Sequence, residues 1–273
     1  MDDQEFSYLK EKIRQYTRMD LDGYKSQQVR RRLEGYIRRF SGSVQEYAAR
    51  LEKDPALCRE LVDYLAINVS EFFRDSHYFT YLKADVLPEL RKTKARLNIW
   101  SAACSCGQEP YTLAMILEGM GNTAYRILAT DIDLSALESA RNGGPYTEQD
   151  VRNIATHLRN KYLIYRDGAY WVHESLRHHI TFKVHNVQSD PFERGFDLIL
   201  CRNAIIYFSD VVRDKIYQNF HISLNSGGVL FIGGSEAILH PNKIGFQTLR
   251  PPFYVKTNPR MPVSATVIAE RKG

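Results

Sequence analysis

From Leu97 onward, short apolar runs alternate with segments of helical character, and this alternation constrains the fold more than any other feature of the chain. The apolar runs predict strands over 97–101, 125–130, 180–184, 196–201 and 227–234. The segments between them predict helices over 110–120, 135–141 and 211–224. Strands that alternate with helices are typical of a parallel sheet covered on both faces. The sequence therefore predicts an α/β domain.

The first 65 residues lack this alternation and predict a small helical domain. Phe6, Leu9 and Ile13 recur at helical spacing, and Ser43 is a predicted N-cap for a later helix. We expect four segments: a helical domain, a connection, an α/β domain and a C-terminal tail, over 1–67, 68–96, 97–258 and 259–273.

One stretch interrupts the strand–helix alternation. Residues 161–172 place aromatic and β-branched side chains on both sides of Asp167-Gly168. Asp-Gly between two such runs is a hairpin signal. We expect a small antiparallel β subdomain, inserted at about 157–179.

The cysteine content and the apolar runs exclude several classes of protein. The chain has four cysteines and no C-x-x-C pair, which disfavours a disulfide scaffold and a zinc site. The N-terminus has no signal-peptide pattern, and no apolar run approaches the ~20 residues of a membrane span. We expect a cytoplasmic protein that needs no metal, does not insert into membranes and reaches them only through a partner.

The net charge of +5 is concentrated in one stretch. Residues 21–40 hold six basic and two acidic side chains, a net charge of +4. Arg30 and Arg31 precede Arg38 by eight and seven residues, which returns to nearly the same side of a helix. Such a face is either a solvated surface or a docking site for an acidic partner.

Polar residues follow four of the predicted strands, at 101–109, 131–133, 186 and 201–203. In open α/β sheets, ligands bind beyond the carboxyl ends of the strands. Gly107 stands there without the G-x-G-x-x-G pattern of a pyrophosphate cradle, so a nucleoside ligand without a diphosphate fits better. Asp133 occupies a position where an acid commonly receives ribose hydroxyls.

Five motifs, found in order, resemble those of the CheR-type chemotaxis receptor methyltransferases. They are Asn-Val-Ser-Glu-Phe-Phe-Arg at 68–74, Ala-Cys-Ser-Cys-Gly-Gln-Glu-Pro-Tyr at 103–111, Thr-Asp-Ile-Asp at 130–133, Cys-Arg-Asn-Ala-Ile-Ile-Tyr-Phe at 201–208 and Gly-Ser-Glu at 234–236. The chain departs from the usual motifs at Ser70, Cys106 and Gln108, where the family commonly has Thr, Ser or Thr, and an acid. The resemblance covers nearly the whole chain.

The resemblance implies an enzyme that uses S-adenosylmethionine to methylate glutamate side chains of membrane chemoreceptors, for sensory adaptation in chemotaxis. The products are glutamate methyl esters and S-adenosylhomocysteine. The implied fold is a helical N-terminal domain and a Rossmann-like methyltransferase domain with a small inserted β subdomain.

The same resemblance assigns roles to individual residues. Those that it places at the cofactor are Asn68, Ser70, Arg74, Glu109, Asp133, Asn186, Val187, Cys201, Arg202 and Asn203. Among them, Glu109 faces the methionine moiety and Asp133 takes the ribose hydroxyls. Asn186 and Val187 flank the adenine. Arg74 and Tyr207 stand beside the transferred methyl group as the catalytic candidates.

The implied substrate is a glutamate-rich helical bundle, so the predicted basic helix is expected to dock it. The expected docking residues are Arg30, Arg31, Arg38 and Arg39. The predicted hairpin loop, 166–169, lacks the glycine-containing extension of family members that grip a receptor tail peptide. We therefore expect a monomer that is recruited to receptor arrays without that tether.

Two other classes of function explain part of the pattern. A basic helix on a cofactor-binding domain also suits a nucleic-acid methyltransferase, but the basic stretch has no interleaved aromatic platform for bases. A non-catalytic cofactor sensor or adaptor is the other, and the retained Asn68, Glu109 and Asn203 argue against it.

Overall fold

The computed structural model describes residues 1–66, 70–121 and 124–257. The predicted tail over 259–273 lies outside them. The N-terminal helices are α1 (Asp3–Thr17), α2 (Ser26–Ile37), α3 (Val44–Lys53) and α4 (Pro55–Ala66). Capping boxes at Asp2 and Ser43 begin α1 and α3. The apolar faces of these helices bury Leu9, Leu33 and Leu61 in one core, which confirms the predicted helical domain.

Two short helices lead from this domain to the sheet. They are α5 (Ser76–Tyr81) and α6 (Leu87–Thr93), and a π-helical turn over Leu82–Val86 joins them. Phe79 of α5 is buried in the core on one face of the sheet.

Within the described residues, the strands are β1 (Leu97–Ala102), β2 (Tyr125–Asp131), β3 (Leu163–Arg166), β4 (Ala169–Val172), β5 (Ile180–Val184), β6 (Phe196–Cys201), β7 (Leu224–Ile232), β8 (Phe246–Arg250) and β9 (Phe253–Lys256). The helices among them are α7 (Gln108–Gly119), α8 (Leu134–Asn142), α9 (Glu148–Val151), α10 (Thr156–Tyr162), α11 (Glu174–Arg177), α12 (Asp210–Ser223) and α13 (Pro241–Ile244). Strands β3 and β4 form the predicted antiparallel hairpin around Asp167-Gly168. The other described strands form one sheet in the order β5-β2-β1-β6-β7-β9-β8. The predicted Rossmann-like class and inserted β subdomain are confirmed.

The sheet is parallel from β5 to β7 and antiparallel at the opposite edge, so the prediction of a parallel sheet was wrong at that edge. Strand β9 pairs antiparallel with β7, and β8 pairs antiparallel with β9. Only Pro251 and Pro252 separate β8 from β9. A connection this short permits an antiparallel return but no parallel crossover.

Strand β1 is an interior strand of the sheet and alternates its side chains between two cores. Ile99 belongs to the core on one face, and Trp100 belongs to the core on the other. Strand β1 pairs in parallel with β2 on one side and with β6 on the other. The chain runs outward from β1 to β5 and then returns to β6, so the topological switch point lies between β1 and β6. A ligand cleft is expected beyond the carboxyl ends of these two strands.

Candidate active site

A cleft lies at the carboxyl edge of the sheet, between the ends of β1, β2, β5 and β6 and the N-terminal helical domain. The predicted site residues that line it are Ser70, Arg74, Glu109, Asn186, Val187, Arg202, Asn203 and Tyr207. Asp133 and Cys201 do not line it. Asn68 lies outside the described residues.

Glu109 is an acid at the floor of the cleft, and its side chain is 11% exposed. Helix α7 begins after Gly107, whose φ of 90° is in the left-handed region, and this start places Glu109 in the first turn. Ser101 donates a hydrogen bond from Oγ to Glu109 Oε1 at 2.7 Å, and Arg202 Nη1 lies 3.5 Å from Oε2. Burial raises the pKa of Glu109, and the nearby Arg202 and Ser101 oppose that rise. The position therefore suits a cationic ligand group such as an ammonium.

Arg202 holds the wall of the cleft together, and its side chain is only 3% exposed. Its Nη2 donates to the backbone oxygen of Arg74 at 2.9 Å and to Asp75 Oδ2 at 2.8 Å. The guanidinium also lies over the rings of Phe79 and Phe231, 5.1 and 4.7 Å from their centroids. Arg202 thus fixes the backbone that carries Arg74 beside Glu109.

Two acids stand at the end of β2, and they differ in their surroundings: Asp131 is the last residue of the strand, and Asp133 follows it. Asp131 lines the cleft and accepts from the backbone N–H groups of Ser105 at 2.7 Å and of Asp133 at 3.0 Å. Burial raises the pKa of Asp131 to about 6. Asp133 is fully buried and caps α8 by accepting from the N–H of Ala136 at 3.0 Å. Asp131 therefore faces the cleft, whereas Asp133 lies beneath it as the N-cap of α8.

Asp133 also faces the N-terminal domain. Burial, together with the adjoining Asp133 carboxyl, raises the pKa of Asp63 on α4 to about 6. A neutral Asp63 beside Asp133 avoids placing two like charges at the contact between the two domains. Asp133 thus contacts both the start of α8 and the N-terminal domain.

Asn186 lines the cleft, but both ends of its side-chain amide are occupied. Its Oδ1 accepts from the N–H of Gln188 at 3.0 Å, and its Nδ2 donates to the backbone oxygen of Arg18 at 3.1 Å. Arg18 also pairs with Asp190 at 2.9 Å. The N-terminal domain thus holds the loop after β5 that presents Val187 to the cleft.

Tyr207 reaches the cleft from a 3-10 turn over Ile205–Tyr207, which follows β6. The N-terminal domain meets this turn directly, because Lys25 donates its backbone N–H to the oxygen of Tyr207 at 2.9 Å. Cys201, by contrast, is fully buried inside β6, and burial raises the pKa of its thiol well above the usual value. It packs beneath the floor of the cleft.

The four arginines predicted to dock the substrate differ in their surroundings. Arg30 is engaged within its own domain, with Asp3 at 2.6 Å and Glu34 at 3.4 Å. The other three are exposed: Arg31, Arg38 and Arg39. Arg31 also lines a second cavity, which Tyr207 borders from the catalytic side. Helix α2 therefore lies beside the candidate site.

Asp131 and Tyr24 are among the cleft residues to which the sequence assigned no specific role. The position of Asp133 offered an indirect signal for Asp131. Asp133 stands just before the helix predicted at 135–141, where an N-cap residue is expected, and this leaves Asp131 as the acid at the end of the strand. Tyr24 carries no local signal. Its position depends on a β-bridge to Phe208, and their ring centroids lie 4.6 Å apart.

Two further observations concern the described residues only. No group of three or more His, Cys, Asp or Glu side chains in these parts of the chain is arranged to hold a metal ion. No helix among them is long and apolar enough to cross a membrane.

Comparison with known proteins identifies relatives over nearly the whole chain. Residues 68–254 match the family described as CheR methyltransferase, SAM binding domain, and residues 4–66 match CheR methyltransferase, all-alpha domain. A chemotaxis protein methyltransferase of Listeria monocytogenes is 38% identical over 93% of this chain and 98% of its own length. Chemotaxis protein methyltransferase 1 of Pseudomonas aeruginosa is 36% identical, over 72% of this chain and 76% of its own.

Proposed function

This chain belongs to the CheR methyltransferase family, a family of S-adenosylmethionine-dependent enzymes of chemotaxis, and on that basis we propose that it methylates glutamate side chains of membrane chemoreceptors for sensory adaptation. The observation that carries the proposal is the cleft at the switch point of the sheet. The cleft brings together two acids, Glu109 and Asp131, and the polar side chains of Arg74 and Tyr207.

The residues of the cleft fit S-adenosylmethionine. The Glu109 carboxyl would hold the ammonium of the methionine moiety, and Asp131 would accept from the ribose hydroxyls. Val187 and Ile132 offer apolar walls for the adenine. When bound, the cofactor supplies a methyl group on a sulfonium, and transfer to a carboxylate gives a methyl ester and S-adenosylhomocysteine.

The substrate side chain needs orientation rather than activation. A glutamate carboxyl with a pKa of ~4.3 is ionised at neutral pH, so no general base is required. Holding two reacting groups in line can lower a barrier by roughly 7–11 kcal/mol. We assign this positioning to the guanidinium of Arg74, whose planar fork matches a carboxylate. Tyr207, at the same cleft, would donate a hydrogen bond or pack its ring against the sulfonium.

We propose that the receptor bundle docks on the exposed basic side chains of α2 and of the turn that follows it: Arg31, Arg38 and Arg39. Arg31 lies nearest to the chemistry, because its cavity shares Tyr24 and Tyr207 with the cleft. A positive surface there steers an acidic helical substrate toward the site. Arg30 contributes less, because Asp3 and Glu34 balance its charge.

Reversing the charges of this surface is expected to weaken docking without harming the chemistry. The double variant Arg31→Glu/Arg38→Glu should raise the Michaelis constant for receptor fragments about tenfold, equivalent to ~1.4 kcal/mol, and change kcat less than twofold. The difference should shrink in high salt, because exposed charges are screened beyond about 10 Å at 0.1 M ionic strength. Steady-state kinetics at two salt concentrations measure both effects.

The matched control is Arg96→Glu. Arg96 is exposed and directly precedes β1, at the edge of the sheet opposite the cleft. The control should leave the Michaelis constant unchanged. Equal effects of the control and the α2 variant, or salt-insensitive wild-type kinetics, would remove α2 from the docking surface.

We further propose that this chain acts as a monomer and needs no receptor tail peptide. The short hairpin supports independence from the tail peptide, since only Asp167 and Gly168 join β3 to β4. Receptor fragments with and without their carboxyl-terminal tail should give the same Michaelis constant. A clear preference for the tailed fragment would contradict tether independence.

A further inference from the structure

The Gly-Ser-Glu motif at 234–236 contains a buried carboxylate, that of Glu236, which does not line the cleft. Glu236 follows β7, and its two oxygens accept four backbone hydrogen bonds. Oε2 accepts from Gly233 at 2.5 Å and from Asn203 at 3.3 Å. Oε1 accepts from Ile205 at 3.1 Å and from Ile206 at 3.3 Å. One side chain thus ties the end of β7 to the segment that follows β6.

Each of these partners is a donor, so the site requires an ionised carboxylate. A carboxylate accepts on both oxygens, whereas a glutamine amide offers one oxygen and one NH₂ group. In either orientation, the NH₂ of a glutamine would face two backbone N–H groups. Burial raises the pKa of Glu236, and the four N–H donors oppose that rise.

The glycine before the motif permits this close approach. A Cβ on Gly233 would lie 2.7 Å from Glu236 Oε2 and 2.9 Å from the backbone nitrogen of Asn203. Asn203 itself has a φ of 60°, in the left-handed region. The segment after β6 therefore has an unusual backbone course that Glu236 holds in place.

The segment that Glu236 holds leads to two of the predicted site residues in the cleft, Asn203 and Tyr207. Its far end is held from the other domain, because Ser209 donates its N–H to the oxygen of Gly23 at 2.8 Å. On the side of the sheet, the carboxylate of Glu236 holds this segment through its backbone hydrogen bonds. Without it, the Ile205–Tyr207 turn would keep only its contacts with the N-terminal domain and its own packing.

We infer that Glu236 is a positioning residue of this methyltransferase, and that its carboxylate sets the place of Tyr207 by fixing the backbone from Asn203 to Ile206. The inference rests on the proposed function for its kinetic consequence. Its structural consequence, an ordered backbone over that segment, is independent of the reaction.

The test compares Glu236→Gln with Asp197→Asn in the full chain. Asp197 is a matched control: it is also buried, and it accepts from the N–H of Asn98 at 3.0 Å and from Asn225 Nδ2 at 2.8 Å. It lies at the start of β6, on the edge of the sheet away from the cleft. Both variants should lower Tm, but only Glu236→Gln should lower kcat strongly, about 30-fold, through lost orientation.

Two further readouts separate positioning from general destabilisation. Amide hydrogen exchange should accelerate at Asn203, Ile205 and Ile206 in Glu236→Gln and stay unchanged there in Asp197→Asn. Combining Glu236→Gln with Tyr207→Ala should lower kcat little more than Tyr207→Ala alone, because both changes remove the same group from its place.

Three results would overturn the inference: equal losses of kcat in the two carboxyl variants, unchanged exchange at the three amides, or losses that multiply in the double variant. A wild-type protein that methylates no receptor fragment would instead refute the proposed function. The exchange experiment would then still decide whether Glu236 holds the segment.

Discussion

Replacing Arg74 with alanine is expected to lower kcat at least about 100-fold while Tm stays within about 2 °C of the wild-type value. The side chain lines the cleft, so its loss removes the fork that would orient the substrate carboxylate. The backbone should remain in place, because Arg202 holds the Arg74 oxygen and the Asp75 carboxylate. Function and stability are therefore expected to separate at this position.

Methyl incorporation into receptor fragments, measured beside a thermal melt, tests this prediction. Arg96→Ala is the control, since it removes an exposed arginine on the far edge of the sheet. Arg74→Lys should recover only part of the activity, because an ammonium lacks the planar fork. A folded Arg74→Ala protein with near-normal turnover would remove Arg74 from the site.

Replacing Asp131 with alanine is expected to weaken cofactor binding about 30-fold, or ~2 kcal/mol, as for the loss of a charge-assisted hydrogen-bonding group. Asp131 lines the cleft, whereas Asp133 is fully buried beneath it. Asp133→Asn should therefore change cofactor affinity much less and act mainly on stability, through the cap of α8. Calorimetric titration with S-adenosylhomocysteine distinguishes the two acids.

The pH adds an independent check on Asp131. Because burial raises the pKa of this carboxyl to about 6, it is ionised above that pH and protonated below it. A protonated carboxyl is a poorer acceptor for ribose hydroxyls, so wild-type affinity should fall as the pH drops through about 6. Part of that pH dependence should vanish in Asp131→Ala. Stronger losses from Asp133→Asn than from Asp131→Ala would restore the ribose role to Asp133.

The fold was predictable where a local pattern carried it. The apolar runs of β1, β2, β5 and β6 and the Asp-Gly turn between β3 and β4 can be recognised from the local sequence alone. Strands β8 and β9 are not, because only one of the five side chains of β8 and two of the four of β9 are buried. Their place depends on pairing with β7, a contact that no local pattern encodes.

The site was predictable in its location and less so in its details. Strand ends and family motifs pointed to the cleft, and eight of the predicted cofactor and catalytic residues line it. The motif Asp-Ile-Asp does not say which acid turns toward the ligand, since that depends on where β2 ends and α8 begins. Tyr24 escaped notice because a bridge between the two domains brings it to the cleft.

The N-terminal domain helps to position the residues of the candidate site. Arg18 holds the loop of Asn186, and Lys25 holds the turn of Tyr207. The helix proposed to dock the receptor begins directly after Lys25, at Ser26. The proposed docking surface and the cleft thus lie within a few residues of each other in the chain.

The most direct test of the account incubates the full chain with S-adenosylmethionine labelled on its methyl group, together with receptor cytoplasmic fragments and, separately, RNA. The proposed function predicts label on the receptor fragments at glutamate side chains, released by mild alkali as an ester requires. It also predicts that no label enters the RNA. Label in RNA, alkali-stable label on the receptor, or bound cofactor without any transfer would contradict it.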